Sequence, residues 1–214
     1  MTATPHSQLS DVTRTVLPAE GGHVVSLAQT FPVHPEELWS ALTIGSHLES
    51  WFGRASGEVV AGGRYELPDM ETRGEVLAVE EPRRLLLTWE FGKGASEMEL
   101  LVEPVEGADP AASRFELRHT VPADAHWQTF GPAATGCGWD AALYGLALHL
   151  EDPSADLLPR LSRFAGSPEG AEFTRATAEA WFEAHVAAGA DKKPARKASV
   201  RTAAFYLDEE SDLL

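Results

Sequence analysis

Three groups of residues in this sequence have types and spacings that could do chemistry. Gly136-Cys137-Gly138-Trp139-Asp140-Ala141 fits the loose pattern G-x-G-x-x-G/A, in which close backbone approach and a helix N-terminus hold a pyrophosphate. That chemistry also needs a preceding strand within a β-α-β unit, whereas HWQTFGPAAT comes before it and Pro132 stands in the way. The dinucleotide reading is therefore rejected. The glycines are read instead as points where a helix start approaches neighbouring backbone and leaves room at a cavity mouth. His119, Asp124 and His126 are the nearest cluster of metal-ligating types, but they straddle Pro122 in an expected loop, with no H-E-x-x-H or C-x-x-C beside them. No metal, no cofactor and no catalytic residue is assigned. Cys137, the lone cysteine, sits at a helix start that could lower its thiol pKa, yet no histidine is locally placed to activate it, so it is read as a small packed side chain beside a pocket.

The elements that must position these groups follow from periodicity. VVSLAQTF alternates Val25, Leu27 and Phe31 against Ser26, Ala28 and Thr30, the pattern of a half-buried strand. PVHPEELWSALT starts a helix with Pro35 in its first turn and Glu36 and Glu37 near the positive dipole end. GSHLESWFG continues as a further helical turn with Ser46 as its cap, closing at Gly53. Strands are then expected at 55–60, 64–68, 72–80, 85–91, 96–104 and 113–120, separated by Gly, Pro and Asp turns too short for right-handed crossovers, hence antiparallel. With the first strand they make a seven-stranded sheet. Leu85, Leu87, Trp89 and Phe91, then Met98, Leu100 and Val102, then Phe115, Leu117 and His119 give it a greasy face, while Glu97, Glu99, Glu116 and Arg118 lie opposite. Arg73 and Glu75 share a strand face, either as a buried polar pair or on the solvent side. The long apolar helix within 136–150 is the segment able to bury the greasy face. Trp139, Ala142, Leu143, Leu146 and Leu150 form one stripe, and Cys137, Tyr144 and Leu148 a second.

Bulk properties narrow the function classes. The 214 residues carry a net charge of −16, which repels polyphosphate backbones and anionic membrane surfaces; neither nucleic acid nor membrane is an expected partner. The densest basic run, Lys192 to Lys197, sits beside an acidic tail and reads as a solvated linker. One cysteine, no signal peptide and no long apolar span give a cytoplasmic expectation. The chain is divided into an arm or edge strand at 1–22, a domain at 23–152, helices at 153–207 and an acidic tail at 208–214. Within the third part, Ser167 caps a helix with Pro168 in its first turn and Gly189 as its stop, and a second helix runs from about Pro194 to Tyr206. These helices are expected to pack on the long helix of the same chain, with a dimer contact as the alternative, so a monomer or homodimer is expected.

The order strand, two short helices, meander, long helix resembles the helix-grip fold of the SRPBCC superfamily, and within it the activator of heat-shock-protein ATPase homologues. PVHPEELWSALT with WFG at 51–53, GGRYEL at 62–67, RGEVLAVEEPRRLLLTWEF at 73–91 and GCGWDAALYGLALHL at 136–150 carry the likeness, over about 24–150. The resemblance implies an α+β fold, a curved sheet wrapped around a long helix, with a pocket for small apolar ligands between them. Some relatives are cyclases or aromatases. The eukaryotic activators carry a separate N-terminal domain with no counterpart here, so a co-chaperone role is not expected.

The pocket is accordingly expected to be lined by Trp51, Tyr65, Trp89, Met98, Phe115, His119, Trp127, Cys137 and Tyr144. Tyr65, Trp89 and Tyr144 join apolar bodies to polar tips. Trp127 is expected in a loop at the pocket entrance beside His126. For His119 two readings stay open, a group that orients a ligand or moves a proton, and a buried ring satisfied by a backbone carbonyl. The leading reading is binding of a small hydrophobic molecule without assigned chemistry. The alternatives are an enzyme of the cyclase, aromatase or hydrolase kind and a chaperone-linked interaction module.

Overall fold

The structure is a computed structural model and describes residues 3–92, 94–109 and 111–209. The expected acidic tail beyond 209 lies outside them. Eight helices and eight strands occur among the described residues, in the order α1 (Pro5–Asp11), β1 (Thr13–Ala19), β2 (Gly22–Phe31), α2 (Pro35–Thr43), α3 (Gly45–Trp51), β3 (Ser56–Gly57), β4 (Arg64–Leu67), β5 (Thr72–Glu80), β6 (Arg84–Phe91), β7 (Gly94–Pro104), β8 (Ser113–Pro122), α4 (Ala125–Phe130), α5 (Ala133–Glu151), α6 (Leu158–Ala165), α7 (Pro168–Ala187) and α8 (Lys192–Tyr206).

All strands form one antiparallel sheet in the order β1-β2-β8-β7-β6-β5-β4-β3. The expected seven strands become eight because β1 pairs with β2 through a hairpin turning at Gly21, whose φ of 71° is the left-handed conformation glycine adopts without penalty. Of the two readings of residues 1–22, the strand is therefore present. It is preceded by a helix that the polar composition did not reveal. Thr4 and Ser7 cap α1 reciprocally, and Gln8 is buried against Gln29, each side-chain amide donating to the other.

Register aligns the inward residues in rows. Leu87 faces Met98, which faces His119; Leu85 faces Leu100, which faces Leu117; Val102 faces Phe115, which faces Gln29. The opposite face carries a ladder of ion pairs, Arg84 to Glu99, Glu99 to Arg118, Arg118 to Glu116 and Glu116 to Arg114. These pairs lie on the solvent side of the sheet, where water screens their attraction, so they add little to stability. Arg73 and Glu75 belong to this outer face, where Arg73 reaches Glu90. Phe91, expected inward, is 59% exposed because it ends its strand beyond the edge of the core.

Helix α5 lies against β2, α2 and α3 on one side and α4, α7 and α8 on the other, which explains why it is apolar almost all round. Helix α3 starts one residue before Ser46, at Gly45 after Ile44, so Ser46 sits within the first turn and does not cap it. The Trp51 indole N–H reaches back to the Ala41 carbonyl at 3.2 Å and fastens α3 to α2. Ser167 caps α7 by accepting the Gly170 N–H, and Pro168 occupies the first helical position. Gly136 of α5 rests directly on the Trp181 indole of α7. A Cβ there would fall 2.1 Å from a ring carbon, so the close crossing of the two helices requires glycine.

Candidate functional site

Two spaces meet at the middle of α5. The inner one is a cavity of about 140 Å³ bounded by the sheet, α2, α3 and α5. Aliphatic side chains such as Leu42, Val76, Leu87 and Leu146 line it, together with Tyr65, Trp51, Met98 and Phe115. The outer one is a groove of about 850 Å³ along α5, whose floor is made of Ala134, Thr135, Gly138, Ala141 and Ala142. Sheet residues Phe91, Ser96, His119 and Val121 form one wall; Leu158, Leu161, Phe164 and Phe173 form the other. Short side chains on the floor leave the room, and the aromatic walls bound it.

Trp51, Phe52, Trp89, Trp139 and Ala142 line both spaces and so stand at their junction. Trp139 is the central member. Phe52 stacks on it with ring centroids 6.1 Å apart and planes 12° from parallel, and Trp89 meets it edge-on at 5.1 Å.

Trp139 also ends a polar relay. Its indole Nε1–H donates to Nδ1 of His119 at 3.1 Å, Nε2 of His119 is 2.7 Å from the Ser96 hydroxyl, and that hydroxyl donates to the Trp89 carbonyl at 3.2 Å. An indole can only donate, so Nδ1 must be bare. The Ser96 proton is used on the carbonyl, so Ser96 must accept from Nε2–H. Every donor and acceptor agrees on one neutral tautomer. Burial pushes the ring's pKa down to about 4, in keeping with that neutral state. Both ring nitrogens therefore have partners, an indole and a hydroxyl where a backbone carbonyl was expected, while the ring also lines the outer groove.

A second buried polar cluster joins the N-terminal hairpin to the helices. The Arg14 guanidinium grips the fully buried Asp140 carboxylate at 2.6 Å, and the Trp181 Nε1–H donates to the same carboxylate at 2.8 Å. Burial pushes the Asp140 carboxyl upward, with Arg14 and the Trp181 donor pulling it back. Behind α3, His47 Nδ1 lies 3.1 Å from His149 Nε2; burial, then the neighbouring His47, lower the His149 pKa. This pair lines neither space. Among the described residues no group of three or more His, Cys, Asp or Glu could hold a metal ion.

The nine residues expected to line one pocket are divided by the fold. Trp51, Tyr65, Trp89, Met98 and Phe115 line the inner cavity. Trp51, Trp89, His119, Trp127 and Tyr144 line the outer groove. The Tyr65 hydroxyl donates to the Thr88 carbonyl at 2.6 Å, and burial raises its pKa. Tyr144 faces away from the sheet, its ring packed on Phe164 and Phe173. Trp127 and His126 lie on α4, where a loop was expected. Asp124 caps that helix by accepting the Trp127 N–H, and the Trp127 ring stacks on His23 at 4.1 Å. Cys137 is a correction. It lines neither space, being buried between α5 and α7 with its sulfur 3.5 Å from the Thr177 hydroxyl, and burial pushes its thiol up to about 12.

Phe52, Ser96 and the junction role of Trp139 were not among the expected site residues. Trp139 is foreshadowed by its place on the stripe facing the strands, and Phe52 by the WFG triplet. Nothing local singles out Ser96. Arg14 lay in what read as an arm or edge strand, and the signal for Asp140 was a carboxylate within the apolar run 136–148.

Residues 32–151 match the family model described as activator of Hsp90 ATPase homolog 1-like protein. The solution structure of CalU16 from Micromonospora echinospora is 25% identical with a TM-score of 0.62, covering 83% of this chain and 97% of that one. EF2215 from Enterococcus faecalis, described as a conserved protein of unknown function, is 18% identical with a TM-score of 0.62, over 87% of this chain and 96% of that one. DynU16, described as a protein in the dynemicin biosynthetic locus, is 25% identical with a TM-score of 0.52, over 61% of this chain and 48% of that one. None of the curated proteins matches the chain. No helix among the described residues is long and apolar enough to cross a membrane.

Proposed function

Because the chain belongs to the activator of Hsp90 ATPase homolog 1-like family and has its α+β helix-grip fold, we propose that it binds a small hydrophobic molecule between the sheet and α5. The observation that carries this reading is an apolar cavity and a groove of about 850 Å³ that share one aromatic wall, made by Trp51, Phe52, Trp89 and Trp139. The groove is of the size that takes drug-sized ligands, roughly 300–1,000 Å³, whereas the inner cavity is near the size that admits a benzene ring. A ligand would therefore lie mainly in the groove, with one apolar end at or through the junction. DynU16, from the dynemicin biosynthetic locus, is a relative associated by its description with small-molecule biosynthesis, in keeping with a small organic ligand.

The catalytic alternative has less support. Acid-base chemistry needs a group with a free proton or lone pair near its working pH. Both His119 nitrogens are engaged and its pKa lies near 4, while the Tyr65 hydroxyl is spent on a carbonyl.

Titration of the neutral probe N-phenyl-1-naphthylamine, read through tryptophan emission, tests the proposal, since Trp51, Trp89 and Trp139 line the junction. Saturable quenching is expected in the wild type and its loss in Ala142→Phe, which fills the junction. No saturable response, or a response indifferent to that substitution, overturns the reading.

A further inference from the structure

The junction between the two spaces has a hydrogen-bonding sense as well as a shape. Trp139 is the member of the shared wall whose ring contacts both Phe52 and Trp89, and a ligand end that turned its indole aside would reach from groove to cavity. Turning it aside removes the N–H that His119 Nδ1 accepts. The tautomer cannot adjust to the loss while Nε2–H is held by Ser96 and Ser96 by the Trp89 carbonyl. His119 is 6% exposed with the indole in place, and a ligand that fills the space the indole leaves keeps water from Nδ1, so the acceptor is left bare at a cost. A ligand bearing an O–H or N–H at that point restores the bond, a plain hydrocarbon leaves it broken, and a carboxylate sets its own lone pairs against Nδ1 in a chain of net charge −16.

We propose that His119 Nδ1 is the specificity determinant of this pocket, and that the ligand class is a neutral, flat, apolar molecule carrying one hydrogen-bond donor of the phenol or indole kind. The ligand's donor takes the place of the Trp139 N–H, and its ring takes the space between Phe52 and Trp89 that the indole vacates. The neutral state of His119 at physiological pH keeps Nδ1 an acceptor. This inference rests on the binding reading above and narrows it.

Calorimetric titration with 2-naphthol, its near-isostere 2-methylnaphthalene, and 2-naphthoate tests it. In the wild type 2-naphthol binds about tenfold tighter than 2-methylnaphthalene, the cost of one bare buried acceptor, and 2-naphthoate binds more weakly than either. In His119→Leu the preference is lost, and 2-methylnaphthalene binds at least as tightly as 2-naphthol, whose hydroxyl then has no acceptor. If His119→Leu does not fold, Trp139→Phe carries the test. It keeps the acceptor and removes the competing donor, so both neutral probes tighten while the tenfold ratio persists. Equal affinity of the two neutral probes for the wild type, or collapse of their ratio in Trp139→Phe, overturns the donor assignment and leaves the pocket standing. Failure of all three probes to bind removes the pocket reading and this one with it.

Discussion

Acidification should destabilise the protein through His119, by an amount the relay sets. The ring is buried and bonded in its neutral form, with a folded pKa of about 4 against an ordinary 6.5. As pH falls below 6.5 the unfolded chain takes up a proton that the folded chain refuses, so stability falls with pH across 6.5 to 4 and levels off beneath it. The whole window corresponds to about 3 kcal/mol, and the part between pH 8 and pH 5 to about 2 kcal/mol. Burial also lowers the pKa of His23, His149 and His185, so the total slope in the wild type exceeds the share of His119. The comparison that isolates it is urea unfolding of wild type and His119→Leu at a series of pH values. The variant's stability should fall by about 2 kcal/mol less than the wild type's between pH 8 and pH 5. Parallel curves would refute the claim that the fold holds this imidazole neutral.

Three further variants probe the contacts that place α5. Asp140→Ala leaves the Arg14 guanidinium buried without its partner and should cost about 3–5 kcal/mol in urea unfolding, while replacing both residues together, Arg14→Met with Asp140→Leu, should recover most of that loss. Gly136→Ala improves helix propensity by up to about 1 kcal/mol but drives a methyl into the Trp181 indole. A net loss of about 1–3 kcal/mol by thermal unfolding is expected, and a stabilised variant would show that α7 is not fastened there.

Much of the architecture was legible because it depends on short-range periodicity. Alternation at Leu85, Leu87, Trp89 and at Phe115, Leu117, His119 set which strand faces turn inward, and the register rows follow it. The turn spacing required antiparallel neighbours, and the doubly apolar stripe of α5 required cover on two sides. Helix α1 and strand β1 were harder to read because their burial is supplied by partners far along the chain, Gln29 for Gln8 and Asp140 for Arg14. Helix α4 was missed because its six residues are too few to show a period.

The sequence by itself determined an inward apolar set and the family likeness, since both are carried by residue type at fixed spacing. Whether that set would close into a solid core or leave two spaces along α5 depended on how far α5 stands from the sheet, which the tertiary packing of Gly136 on Trp181 and of Phe52 on Trp139 decides. The tertiary structure also assigned the polar roles. A hydrogen bond needs donor and acceptor brought within about 3 Å. His119, Ser96, Trp89 and Trp139 come from four different elements, so nothing in the order of their letters fixes which nitrogen is bare.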